Sequence, residues 1–184
     1  MKKMIFTLAL VCGLTTMVSA QTGKIWTGGS VGIMSSDEKD GPTLTNYNIV
    51  PEVGYMLYDN LGIGIKLGYF HKEDLAEGKK QKKDGFKINP FARYSFLRGN
   101  IGGLFVDGGV GYTYSKNKLF DTKSHELEVG FRPGVAINVA DNVSLTGQYG
   151  FLGYIYEKDG GKKTNTYGFD FDLSQVRLGI NIIF

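Results

Sequence analysis

From residue 25 onward, large apolar side chains alternate with small or polar ones at period two, which is the mark of β-strands with two unlike faces. In Leu61-Gly62-Ile63-Gly64-Ile65-Lys66-Leu67-Gly68-Tyr69 every odd position is large and apolar, and every even one is Gly or Lys. A helix would scatter these residues around its surface. The same rhythm sets Phe86, Ile88, Pro90, Ala92, Tyr94 and Phe96 against Lys87, Asn89, Phe91, Arg93 and Ser95. It recurs where Leu127, Val129, Phe131, Pro133, Val135, Ile137 and Val139 alternate with Glu128, Gly130, Arg132, Gly134, Ala136 and Asn138. Polar stretches at about 36–44, 71–85, 116–126 and 157–166 read as long connections. Between them, Asp59-Asn60, Arg98-Gly99-Asn100 and Asp141-Asn142 read as short turns, because these residue types tolerate positive φ. Long and short connections alternate, so the pattern predicts eight strands with both chain ends on the short-turn side.

Three prolines support that count. Pro51, Pro90 and Pro133 each stand eight residues before a short turn, and the Pro51-Glu52-Val53 to Asp59-Asn60-Leu61 unit recurs as Pro133-Gly134-Val135 to Asp141-Asn142-Val143. One hairpin unit has been reused. A closed barrel has no edge strand on which a missing N–H is harmless, so the prolines are expected near the outer end of the apolar band, at bulges.

Alternation alone allows the apolar set to point into a soluble barrel or out into lipid. The minority set is Gly, Ser, Asn and Thr with isolated charges, and an eight-stranded barrel has an interior only wide enough for small residues and pairable charges. A soluble lipocalin-like barrel would instead keep its large apolar residues inside. Tyr and Phe also gather near strand ends, for example Tyr47, Tyr55, Tyr69, Tyr94, Tyr112 and Phe184, which suits girdles at two membrane interfaces. Ordinary sandwich core is the competing reading, and it leaves the asymmetry of long and short connections unexplained. The expected fold is therefore all-β: an eight-stranded antiparallel up-and-down transmembrane β-barrel. Glu52, Lys66, Lys87, Arg93, Asp107, Glu128, Arg132 and Arg177 are expected to form a polar network that fills its lumen, since a Lys or Arg on the lipid face at mid-depth costs roughly 2–4 kcal/mol.

The N-terminus carries an address. Lys2 and Lys3 precede a short apolar stretch from Met4 to Leu14, and Val18-Ser19-Ala20 offers the small residues of a signal-peptidase site, so cleavage is expected between Ala20 and Gln21. About 11 apolar residues fall short of the ~20 that a spanning helix needs. Residues 1–20 are thus read as a signal peptide and 21–184 as one domain. The only cysteine, Cys12, lies in the segment to be removed, so disulfides and thiol chemistry are unavailable to the mature chain. Removal of Lys2 and Lys3 leaves 19 basic residues against 18 acids, a balance that argues against nucleic-acid binding.

The signal peptide, the repeated Pro-x-Val to Asp-Asn hairpin and the ending Arg177-Leu178-Gly179-Ile180-Asn181-Ile182-Ile183-Phe184 together resemble the outer membrane protein beta-barrel domain family, small porin-family barrels of OmpA/OmpX architecture. The resemblance covers essentially all of 21–184 and implies the bacterial outer membrane, with its lipids and lipopolysaccharide as surroundings. It also implies that Arg177, Gly179, Ile182 and Phe184 form the signal read by the outer-membrane assembly machinery.

Candidate chemistry is thin. Lipid A deacylases of this shape carry a His-x-Ser pair, whereas here Ser124-His125-Glu126 and His71-Lys72-Glu73 are the only histidine contexts. Neither makes that pair, and adjacent strand residues point to opposite faces. The two histidines read as solvated loop residues. Asp37-Glu38-Lys39-Asp40 lacks the spacing of a calcium loop. Gly108-Gly109-Val110-Gly111 lies in strand sequence with no helix to follow, so it is no phosphate loop. Lys79, Lys80, Lys82 and Lys83 read as a basic loop open to solvent, or to lipopolysaccharide phosphates or a surface partner. The expectation is a non-enzymatic, monomeric outer-membrane barrel without cofactor or metal, with a structural or surface-binding role through its long connections. A narrow porin for small solutes and a lipid-modifying enzyme are the alternatives. The rhythm slips inside the final hairpin, from odd at Phe151 to even at Tyr154 and from odd at Leu173 to even at Val176, so this hairpin is expected to leave the bilayer near Phe151 and Val176 and to offer Tyr154, Tyr156, Phe169, Asp170, Phe171 and Asp172 as a contact surface.

Overall fold

The structure is a computed structural model that describes residues 23–36, 44–76, 79–117, 122–170 and 177–184. The signal segment with its Ala20–Gln21 junction, the acidic run 37–40, and Phe171, Asp172 and Val176 lie outside the described residues. The strands are β1 (Ile25–Ser36), β2 (Leu44–Tyr58), β3 (Leu61–Ala76), β4 (Lys79–Arg98), β5 (Gly102–Asn117), β6 (Thr122–Ala140), β7 (Val143–Gln148), β8 (Phe151–Asp159), β9 (Lys162–Asp170) and β10 (Arg177–Ile183). Every pairing among the described residues is antiparallel. β7 and β8 lie end to end along β6, so they are the lower and upper parts of one stave, and β10 and β9 follow them as the last. Pairing of β10 with β1, from Trp26↔Ile183 to Ser30↔Gly179, closes the eight-stranded barrel.

Short turns at Asp59-Asn60, at 99–101 and at Asp141-Asn142 join the staves at one end. At the other end the chain departs from expectation. Residues 71–85 are strand wherever they are described: the β3–β4 ladder runs from Leu61↔Tyr94 to Ala76↔Lys79. Likewise β5 and β6 stay paired out to Asn117↔Thr122, and β8 and β9 meet across a two-residue turn, Gly160-Gly161, with φ of 52° and 98°. In 71–85 and 116–126 polar residues predominate on both faces of the strand, so hydrophobic contrast fades while the ladder continues. His71 and His125 are therefore strand residues, as are Lys79, Lys80, Lys82 and Lys83.

Packing is inverted relative to a soluble domain. Among the described residues the buried large apolar side chains are Trp26, Phe91 and Phe105, while Val53, Ile63, Leu67, Val110, Val129 and Ile180 stand exposed on the outside. The interior fits its aromatics by placing glycines opposite them. A Cβ on Gly54 would lie 2.1 Å from the Trp26 ring, and one on Gly134 would lie 2.4 Å from that of Phe105. Small beside large is how a narrow barrel fills its section.

The prolines are not all at rim bulges. Pro51 faces Gly29 and Pro90 faces Ile65 in ladders of unshifted register, level with Glu52 and Phe91 of the interior. Each is tolerated because the ladder on its other side skips two pairs there, between Ile49↔Tyr69 and Glu52↔Lys66 for Pro51, and between Ile88↔Tyr112 and Phe91↔Gly109 for Pro90. Pro133 alone faces a bulge. From Phe131 to Gly134 is three steps along β6, but the partners run from Leu152 back to Gln148, which is four. The extra residue lies at Tyr149-Gly150, where Gly150 has φ 71°. The parity slip thus precedes Phe151 and turns that ring into the lumen, against Arg132.

Candidate functional site

The interior carries two charged clusters, one above the other. In the lower, Asp107 on β5 accepts from Arg93 Nε at 2.7 Å through Oδ1 and from Arg93 Nη2 at 2.9 Å through Oδ2. The same carboxylate accepts from Lys66 Nζ at 2.7 Å and from Gln148 Nε2 at 2.6 Å. Glu52 on β2 completes the set, at 3.2 Å from Arg93 Nη1 and 3.7 Å from Lys66 Nζ, and it also accepts from Trp26 Nε1 and Asn181 Nδ2 at 3.1 and 2.9 Å. Two cations meet two carboxylates, so the cluster is neutral. Aromatic rings wall it: the Arg93 guanidinium lies 4.3 Å from the Phe105 centroid and Lys66 Nζ 4.4 Å from that of Phe91. Such pairs add to the ionic attraction where water is excluded.

The upper cluster centres on Glu128, 2.7 Å from Lys87 Nζ and 2.9 Å from Arg132 Nη2, with Asn89 Nδ2 donating at 3.2 Å. Arg177, on β10, lines the cavity around this group without joining an ion pair among the described residues. A cavity of about 240 Å³ opens above the lower cluster and one of about 250 Å³ lies below it, the former reaching Lys66, Phe91 and Asp107 and the latter Trp26, Arg93 and Phe105. The lower cluster lies between them, beside a smaller void of about 20 Å³ lined by Glu52, Lys66, Gln148 and Asn181.

All eight charged residues singled out in the sequence line the interior or join its ion pairs. Trp26, Phe105, Gln148 and Asn181 were missed, although Trp26 shares even parity with Gly28, Ser30 and Gly32 on β1 and could have been placed inside on that ground. Of the C-terminal residues, Arg177 and Gly179 stand opposite Gln148 and Thr146 in the β7–β10 ladder, and Phe184 donates its N–H to the Ile25 carbonyl at 2.8 Å, extending the closing seam.

Outside, the two histidines are held rather than free in solvent. His71 Nδ1 bonds Asp84, and its ring stacks on Tyr47 at 5.0 Å. His125 Nδ1 meets Tyr112 Oη at 2.7 Å. Ser124 is buried while its neighbour His125 bonds an outward tyrosine, so the two face opposite sides of β6 and cannot act as nucleophile and base. Lys82 Nζ lies 3.3 Å from Glu73.

Comparison with known proteins agrees with this geometry. The family model described as outer membrane protein beta-barrel domain matches residues 4–182. Among solved structures, the chain is similar to Neisserial surface protein A, with TM-score 0.55 and 16% identity over 87% of this chain and 95% of that one. It also matches a major outer membrane protein from Thermus thermophilus, with TM-score 0.49 and 16% identity over 88% and 99% of the two chains. No curated protein matches it.

Proposed function

The chain belongs to the outer membrane protein beta-barrel domain family, and from that membership we propose that it is a non-enzymatic barrel with a structural or surface-binding role, closed to solutes by its own side chains. Its place is the bacterial outer membrane, among lipids and lipopolysaccharide. The observation that carries the closed reading is the neutral Glu52–Lys66–Arg93–Asp107 cluster, cross-linked at 2.7–3.7 Å and backed by Trp26, Phe91 and Phe105. A pore needs a continuous wet path, and every charge of this cluster is matched across the section. In this reading residues 1–20 direct export and are removed before Gln21, the monomer is inserted through the ending Arg177, Gly179, Ile182 and Phe184, and the strands beyond the membrane present contacts to a surface ligand. A narrow porin is the second reading, favoured by the cavities above and below the cluster. Planar-bilayer recording separates the two: the purified barrel is expected to be silent, and steady steps of nanosiemens size would overturn closure. Lipid A from expressing cells is expected to keep its mass spectrum, and a changed acylation pattern would overturn the non-enzymatic reading.

A further inference from the structure

The closed cluster is balanced, but among the described residues the cup above it is not. Lys66 and Asp107 neutralise each other at its floor, 2.7 Å apart. Above them the cavity of about 240 Å³ is lined by the cations Lys72, Lys87, Arg132 and Arg177 against the acids Glu126 and Glu128. Glu128 already serves Lys87 and Arg132. Glu126 accepts from Thr113 Oγ1 at 3.3 Å. Neither Lys72 nor Arg177 has an ion-pair partner among the described residues. Lys72 moreover stands directly opposite Lys83 in the β3–β4 ladder, an arrangement of like charges that costs stability.

Surplus charge of one sign in a walled cup focuses the field, because the low-dielectric wall screens it little. Cations held together without counter-charge are costly, and the cost falls when an anion sits among them. The residue types indicate which anion. Guanidinium forks match the oxygens of phosphate, and ammonium groups add point charges beside them. Phe151, 4.5 Å from Arg132 Cζ, fixes that guanidinium by its face and leaves available the edge that Glu128 does not take. Short periplasmic turns and longer extracellular connections are the rule in such barrels, so the cup opens away from the cell.

We propose that this outer cup is a binding site for a small phosphate-class oxyanion, free or as the monoester head of a larger molecule, held by the forks of Arg132 and Arg177 with Lys87 and Lys72 beside them. Closure of the lumen is not needed for this, since Lys72, Lys87, Arg132 and Arg177 are not among the residues that close it; conductance tests the one and binding the other. The test is calorimetric titration of the folded barrel, extracted from the membrane in detergent, with inorganic phosphate at low ionic strength. One saturable site is expected, which chloride at equal concentration does not displace. Arg177→Gln and Arg132→Gln should each bind at least ~10-fold more weakly, as loss of a charge-assisted bond requires. Lys24→Gln, in the cavity below the lower cluster, should bind unchanged. Because Arg177 also lies on the closing strand, Lys72→Gln supplies a variant remote from that seam, and heat-modifiable migration confirms folding of each; weakening by Lys72→Gln is expected too. Displacement of phosphate by lipopolysaccharide would identify a lipid headgroup as the natural source, and no displacement would identify a soluble one. Absence of saturable heat, or equal affinity in Arg177→Gln, Lys72→Gln and the parent, would overturn the proposal, as would displacement by chloride.

Discussion

Asp107 accepts hydrogen bonds from three side chains drawn from three other strands, Lys66 on β3, Arg93 on β4 and Gln148 on β7. With 4% of its side chain exposed, its removal leaves two buried cations to share Glu52 alone. Breaking a buried pair from one side costs about 3–5 kcal/mol, and removing both partners costs less than the two losses added. Urea unfolding in micelles is expected to show this for Asp107→Ala, Arg93→Ala and the double variant, with the double change well short of additive; simple additivity would mean the pair is not coupled. Trp26 makes the measurement direct, because it is the sole tryptophan in the sequence and it donates to Glu52 at the heart of the cluster. Its emission should report the cluster itself. Parity set the charged residues Glu52, Lys66, Arg93 and Asp107 on one face of their strands, but did not say which meet. Lys66 and Asp107 are 41 residues apart on strands that are not neighbours, and only the stagger of the closed barrel brings them together.

At the scale of the element, among the described residues β9 pairs with β8 alone, and β1 beyond Ser30 pairs with β2 alone. The hairpin of β8 and β9 is thus an extension of the sheet from β6, with one long edge turned away from it. In an antiparallel ladder successive residues aim their N–H groups to opposite sides. Amide exchange along β9 from Lys162 to Gly168 is therefore expected to alternate, slow where the N–H meets β8 and fast where it does not, whereas β8, bonded on both sides, should be slow throughout. Uniformly fast exchange in both would reduce the hairpin to a loop. This element was legible as a hairpin from its aromatics and its parity slips, though 157–166 read as a long connection; its companions at 71–85 and 116–126 were not, because a strand with polar residues on both faces has no apolar side to betray it. The place of the slip was also obscured: Tyr149 and Phe151 share a parity and a residue class that suits lipid and lumen equally.

Between its two rims the barrel wears most of its large apolar residues outside and keeps its charges within, so its faces are defined by the count of residues and not by depth in a core. Below Tyr149 the seventh stave shows its even residues, Ser144, Thr146 and Gln148, to the lumen; above Gly150 it is the odd ones, Phe151 among them. The two parts are written in different reading frames, and Gly150, at φ 71°, is where the frame shifts. Deleting that one residue is a frameshift in space with no change in the surviving letters. Either Leu152 and Tyr154 turn inward or Leu145 and Val143 do, and in each case a run of glycine and polar residues is put against lipid. Such a deletion is expected to abolish the heat-modifiable folded species, while an Ala replacing Gly150 keeps the frame and loses only the roughly 1–2 kcal/mol of a left-handed residue. If the deletion folded as well as the parent, the strand would be free to slide, and the meaning of every position above it would be set by the neighbours alone.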